Sequence, residues 1–147
     1  APGPAGWIRT STERHPAAAA GIRCMILVDT SIWIDHLRGS DEHLSGLLAA
    51  GRVLMHPYVL GEVALGKLKN RAAVLGAMSD LPLAVAATDD EVLRFIDARA
   101  LFGLGIGYID AHLLAAAMLA PGTRLWTRDR RLGAASARLG LAYALAH

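Results

Sequence analysis

Short apolar runs recur along the chain, each separated from the next by a helical pattern. This alternation restricts the fold more than any other feature. Residues 26–28, 52–56, 83–86 and 125–126 read as strands, with 141–145 as a fifth candidate. Apolar strands divided by helices predict a parallel sheet covered on both faces. The helical stretches carry their own punctuation. Residues 32–37 make a turn or two before Gly39, and Ser40-Asp41-Glu42 opens a second helix toward Gly51, with acids at its positive end. Pro57 suits an early helical position, and Val59, Val63 and Leu68 continue a helical stripe. Asn70 is the expected cap of a helix over 71–78. Thr88-Asp89-Asp90-Glu91 has capping-box spacing. Gly103, Gly105 and Gly107 mark a loop, and the apolar stretch 108–120 predicts a buried helix ended by Pro121-Gly122. A last helix covers 129–139. The expected class is α/β: one domain with a twisted parallel sheet of four to five short strands and helices on both faces.

Composition narrows this further. The chain has 147 residues, of which 54% are hydrophobic and 5% aromatic, so the core must be aliphatic and rich in alanine. One cysteine, Cys24, excludes an intramolecular disulfide framework and a Cys-rich zinc site. No uncharged apolar run approaches the roughly 18 residues of a membrane span. The net charge of +2 sits in residues 1–24, where Arg9, Arg14 and Arg23 outweigh Glu13. The remaining 12 basic and 12 acidic residues cancel. Binding to a polyanion would therefore rest on local arrangement rather than overall charge. Residues 1–24, with three prolines and no amphipathic period, read as an irregular extension of upstream or appended origin. Trp7 is its best candidate for docking, and the domain proper is expected over 25–147.

In an open parallel sheet, ligands gather beyond the carboxyl ends of the strands. Four acids fall there. Asp29 follows the first strand, Glu62 lies early in the helix after the second, Asp110 begins the buried helix, and Asp129 follows the strand at 125–126. Singly, each has a plain structural reading: a turn or cap for Asp29 and Asp129, a solvated helix residue for Glu62, a helix-end residue for Asp110. Together, at one end of the sheet, they form a candidate site. Asp110 is the most telling, because a carboxylate among Ile109, Ala111, Leu113 and Leu114 pays a desolvation cost that a helix terminus offsets only in part. Converging oxygen donors without cysteine suit a hard cation, Mg²⁺ or Mn²⁺, which can activate water and clamp a phosphoryl oxygen.

Four segments carry a resemblance to a known family. They are Met25-Ile26-Leu27-Val28-Asp29-Thr30-Ser31-Ile32-Trp33-Ile34; Val59-Leu60-Gly61-Glu62-Val63; Gly105-Ile106-Gly107-Tyr108-Ile109-Asp110-Ala111-His112; and Leu125-Trp126-Thr127-Arg128-Asp129-Arg130-Arg131-Leu132. In this order, over residues 25 to about 145, the chain resembles PIN-domain ribonucleases, and more narrowly the VapC toxins of type II toxin–antitoxin pairs. The resemblance implies a metal-dependent endoribonuclease that cuts structured RNA, tRNA or rRNA. Asp29, Glu62, Asp110 and Asp129 would be its catalytic and metal-holding acids, with Ser31 and Thr127 in support. It also implies a VapB-type antitoxin partner, a homodimer and a cytoplasmic setting.

Other residues were weighed beside these. Arg128, Arg130 and Arg131 read equally as RNA-phosphate ligands or as a solvated helix start. Lys67, Lys69 and Arg71 read as a solvated loop, and His112 as packed. Ile32, Trp33, Ile34 and Leu37, with Tyr58 and Leu60, are the expected walls of a groove for the antitoxin. Three alternatives stand against the toxin: a PIN nuclease of general RNA processing, a non-catalytic binding module, and a phosphate-accepting signalling domain. The last lacks its usual paired acids, since Val28 precedes Asp29.

Overall fold

The computed structural model describes residues 24–145. Of the extension expected at 1–24, only Cys24 falls within that range. Three parallel strands form the sheet in the order β2-β1-β3: β1 (Met25–Val28), β2 (Val53–Leu54) and β3 (Thr123–Trp126). Helices α1 (Thr30–Arg38) and α2 (Glu42–Ala49) join β1 to β2. Helices α3 (Pro57–Ala64), α4 (Arg71–Ser79), α5 (Asp89–Ala98) and α6 (Tyr108–Leu119) lie between β2 and β3, and α7 (Arg130–Arg138) follows β3. Among the described residues, no helix is long and apolar enough to cross a membrane.

The sheet is shorter than the expected four to five strands. Residues 83–86 and 141–145 contribute single parallel bridges, Met55 with Leu83 and Leu125 with Ala142. Each bridge is held by two backbone bonds. Met55 N donates to Pro82 O and Ala84 N to Met55 O; Leu125 N donates to Leu141 O and Tyr143 N to Leu125 O. The limit lies in the partner strand. Pro57 starts α3 two residues after Met55, so the first edge segment has no further ladder to extend along. Similarly, β3 ends at Trp126, one residue past the bridge at Leu125.

β1 is central and pairs β2 on one side and β3 on the other. The chain moves from β1 outward through β2 to Leu83, then returns across the sheet to β3. With right-handed crossovers, α1–α4 cover one face and α5–α7 the other. The packing agrees: α1 lies on α3, α3 on α4, α5 on α6, and α6 on β3. The core is aliphatic, as the composition requires. Ile26, Leu27, Val28, Ile32, Leu113 and Leu125 are wholly or almost wholly buried, each worth about 1.5–3 kcal/mol in transfer free energy. Helix α6 is buried from Ala111 to Ala117. Ile32 and Trp33 also turn into the core, so they are not walls of an open groove.

The caps follow the sequence with one exception. Asp41 accepts from Leu44 N at the start of α2, and Thr88 and Glu91 exchange both bonds of the capping box. Asn70 occupies the cap position of α4 in a left-handed conformation, φ 53°, and its side chain makes no cap bond.

His56 caps α3 through Nδ1, which accepts from Tyr58 N. It is buried, and its Nε2 has no partner. Burial, reinforced by the neighbouring His112, pulls its pKa down to about 4. The unfolded chain binds this proton near 6.5, so the fold loses stability as the pH falls from about 6.5 to 4. The shift corresponds to roughly 3 kcal/mol. His56→Asn keeps a capping oxygen and removes the titration. Urea unfolding should show wild type losing stability between pH 7 and pH 4 faster than the variant, by about that amount. Parallel curves would contradict the assignment.

Candidate active site

The chain reverses its direction across the sheet at β1, so a crevice opens beyond the ends of β1 and β3. Asp29 stands there. Its N–H donates to Trp126 O at 2.9 Å, which ties the ends of the two strands together. Its carboxylate is buried and receives three donors. Thr30 N donates to Oδ1 at 2.7 Å as the cap of α1, while Ser31 Oγ and Thr127 Oγ1 donate to Oδ2 at 3.1 and 2.7 Å. These bonds hold the side chain in one orientation at the end of a buried strand.

The two hydroxyls reach onward. Thr127 Oγ1 accepts from Asp129 N at 3.0 Å, and Ser31 Oγ accepts from Arg128 N at 3.3 Å. Asp129 caps α7 by accepting from Leu132 N at 2.9 Å. Glu62 is exposed on α3, and Thr30 Oγ1 donates to its Oε1 at 2.9 Å, linking α1 to α3. Asp110 lies in the first turn of α6, where Oδ2 accepts from Gly107 N at 2.9 Å. Partial burial pushes its pKa up. The Gly107 bond opposes this, and the charges of Asp29, Asp129 and Glu62 raise it further. The four acids therefore share one electrostatic neighbourhood.

Their chemistry fits a hard divalent cation: all the donors are carboxylate oxygens, and a cation would offset the burial of Asp110 and, secondarily, the charge of its three neighbours. Among the described residues, no three His, Cys, Asp or Glu side chains form a ready-made cage. A Mg²⁺ ion does not require one, because it binds through one or two carboxylates and keeps several waters.

The three arginines after β3 have different surroundings. Arg128 pairs with Asp35 and, at 2.8 Å, with Asp41. The Asp35 bond, followed by the Asp41 bond, raises its pKa. Arg130 and Arg131 are exposed on α7, with Arg131 lying against Gly105.

Two features were missed from sequence. Thr30 was not assigned to the site, although it is the hydroxyl next to Asp29. Asp89, read only as part of a capping box, accepts from Tyr108 Oη at 2.7 Å and pairs with His112 Nε2 at 3.0 Å. His112 is buried and meets the rings of Tyr58 and Tyr108 edge-on. This cluster joins the start of α5 to the turn that bears Asp110 and to the helix that bears Glu62. Only the aromatic and acidic residues flanking the two helix starts hinted at it.

A model of the PIN domain matches residues 26–137. The chain is also 49% identical over 120 residues to Ribonuclease VapC32 of Mycobacterium tuberculosis, in both the CDC 1551 / Oshkosh and the ATCC 25618 / H37Rv strains. The match covers 82% of this chain and 97% of each relative.

Asp110→Asn keeps an oxygen for Gly107 N and removes the crowded charge. A carboxylate whose folded pKa is raised destabilises the fold above that value, and the penalty disappears below the ordinary value of 3.8. In a chelating buffer at pH 7, Asp110→Asn should melt higher than wild type, with the gap closing as the pH falls toward 3.8. A lower melting temperature at pH 7 would show that the charge is not under strain.

Proposed function

This chain belongs to the PIN domain family, and we propose that it is a metal-dependent endoribonuclease acting as the toxin of a toxin–antitoxin pair. The observation that carries this reading is the neighbourhood of Asp29, Glu62, Asp110 and Asp129 at the sheet crevice, in a chain so similar to a ribonuclease over that protein's length. Structured RNA, tRNA or rRNA, is the proposed substrate class.

Asp29 and Asp110 would hold Mg²⁺ or Mn²⁺, with Glu62 and Asp129 reaching it directly or through water. When bound, the ion would supply Lewis acidity to a phosphodiester oxygen and lower the pKa of a water. The chain's own residues do the positioning. Thr30, Ser31 and Thr127 fix the Asp29 carboxylate in one orientation, and Thr30 also fixes Glu62. Glu62 and Asp129, both exposed, would orient a water for in-line attack on phosphorus. The products would be a 3′-hydroxyl and a 5′-phosphate.

For the antitoxin, a cleft of about 420 Å³ between α1 and the segment after α3 is the proposed seat. Ile34, Leu37, Leu68 and Val74 give it an apolar floor, and Arg38, Lys67 and Lys69 a basic rim. The proposed seat keeps Ile34 and Leu37 of the expected walls and leaves out Ile32, Trp33, Tyr58 and Leu60. A segment with apolar side chains flanked by acids would suit it. A homodimer and a cytoplasmic setting belong to the same reading.

Asp29→Asn tests the nuclease. The amide still accepts from Thr30 N, and its NH₂ can donate to Ser31 and Thr127, whose hydroxyls rotate. The fold should survive with an equal or higher melting temperature, because one of the repelling charges is gone. RNA cleavage in Mg²⁺ should fall at least about 100-fold, a loss in the range for a group that orients charge in a transition state. Excess chelator should abolish cleavage by wild type. Full cleavage by Asp29→Asn, or cleavage in chelator, would remove the proposal.

A further inference from the structure

Beside the acids, the loop between α5 and α6 separates two cavities of opposite character. One, about 220 Å³, is walled by Ile96, Leu101, Phe102, Leu104, Ile106 and Tyr108, and no charged residue lines it. The other is an open cleft of about 560 Å³ lined by Arg130, Arg131 and Arg138 with Leu104, Ala134 and Ala135. Leu104 belongs to both, so they adjoin across one side chain. No acidic residue lines the cleft.

The loop is held from both ends. Arg138 Nη2 donates to Arg99 O at 2.7 Å and Ala100 O at 3.3 Å. Gly105 has φ +77°, which other residues adopt only with strain, and a Cβ there would fall 2.6 Å from Arg131 Nη1 and 2.9 Å from its Cδ, so the Arg131 side chain would have to shift. At its tip, however, Phe102 is 65% exposed, and Tyr108 is 44% exposed on the far wall of the apolar pocket. The link to the acids is direct. Gly107 lines the pocket and donates its N–H to Asp110, and Asp129 immediately precedes Arg130.

We propose that this face is a subsite for an unpaired nucleotide of the RNA, with its base against Phe102 in the apolar pocket and the adjoining phosphates along Arg130, Arg131 and Arg138. The inference rests on the nuclease reading and adds to it where this chain would hold a turned-out base: in the apolar pocket at Phe102, next to the arginine cleft. An aromatic platform beside a basic groove is the physical requirement for gripping single-stranded nucleic acid. Stacking is tolerant of sequence, because every base offers a π-face. A duplex keeps its bases stacked within the helix and cannot offer one to Phe102.

The test uses the full chain in chelating buffer, so that binding is read without cleavage. The probes are a fluorescein-labelled uridine 12-mer and the same backbone with abasic residues, read by fluorescence anisotropy. Wild type should bind the uridine oligomer more tightly than the abasic one. Phe102→Ala should weaken uridine binding roughly 5- to 100-fold and leave abasic binding unchanged, with Phe102→Trp retaining the preference. Arg130→Ala should weaken both oligomers alike and reduce the slope of affinity against salt by about 0.7. Equal losses on the two oligomers with Phe102→Ala would overturn the subsite, as would no loss at all. A change of oligomeric state in Phe102→Ala, with RNA binding intact, would assign the face to a protein contact instead. Cleavage of RNA in Mg²⁺ is measured separately on wild type. Base-dependent binding without cleavage would keep the subsite and remove the nuclease, and cleavage with no Phe102 dependence would do the reverse.

Discussion

The need to satisfy the Asp29 side-chain oxygens at the end of a buried strand organises this molecule. A carboxylate there has lost most of its water, and only several good donors make that tolerable. Two parts of the chain supply three such donors. Thr30 and Ser31 come from the first turn of α1, and Thr127 from the residue after β3. Meeting that need fixes where α1 begins and how β3 ends. It also fixes where Asp129 and Glu62 stand, because the same hydroxyls that serve Asp29, or their immediate neighbour, bond to them. Asp110 alone is placed independently, by the backbone of Gly107, and it bears the strain of the others' charge.

Charge balance next to this crevice follows from the same geometry. Arg128 follows Thr127 and sits close enough to offset the acids, yet its guanidinium turns away to Asp35 and Asp41 on and beside α1. The negative field of the four carboxylates is thus left uncancelled by that side chain. Such a field attracts a cation and repels a bare phosphate. Arg130 and Arg131, both exposed, lie one step farther along, on α7.

Much of this was legible in the residues, for identifiable reasons. The class of fold followed from strand runs that are apolar throughout, since local hydrophobicity and turn chemistry both point to one arrangement there. Asp29, Asp110 and Asp129 were legible because each lies next to a strand end or helix start that the sequence marks clearly, whereas Glu62, expected early in its helix, stands two residues before the end of α3. The edge strands were not, because their length is set by the partner: Leu83–Ala86 has strand composition, but Pro57 leaves it one residue to pair with. Nor was the fate of Trp33, whose helix has more than one apolar side and buries Ile32 and Trp33 while leaving Ile34 partly open. The Arg128–Asp35 pair and the Asp89–His112 pair join residues 93 and 23 apart. Neither carries any local signature, since ordinary surface charges look the same in sequence whether or not they meet.

The bond between Thr127 and Asp29 spans 98 residues, and β1 is completed on one side only by β3. A chain made from its amino terminus therefore carries Asp29 and Glu62 well before it carries Thr127 and β3, which complete the surroundings of Asp29. Until β3 arrives, β1 has an open edge, and the Asp29 carboxylate lacks its shortest side-chain donor. Long-range pairings of this kind form late and slowly. The crevice is thus completed only once β3 is in place, and an incomplete chain leaving the ribosome holds three of the acids beside an open edge of β1.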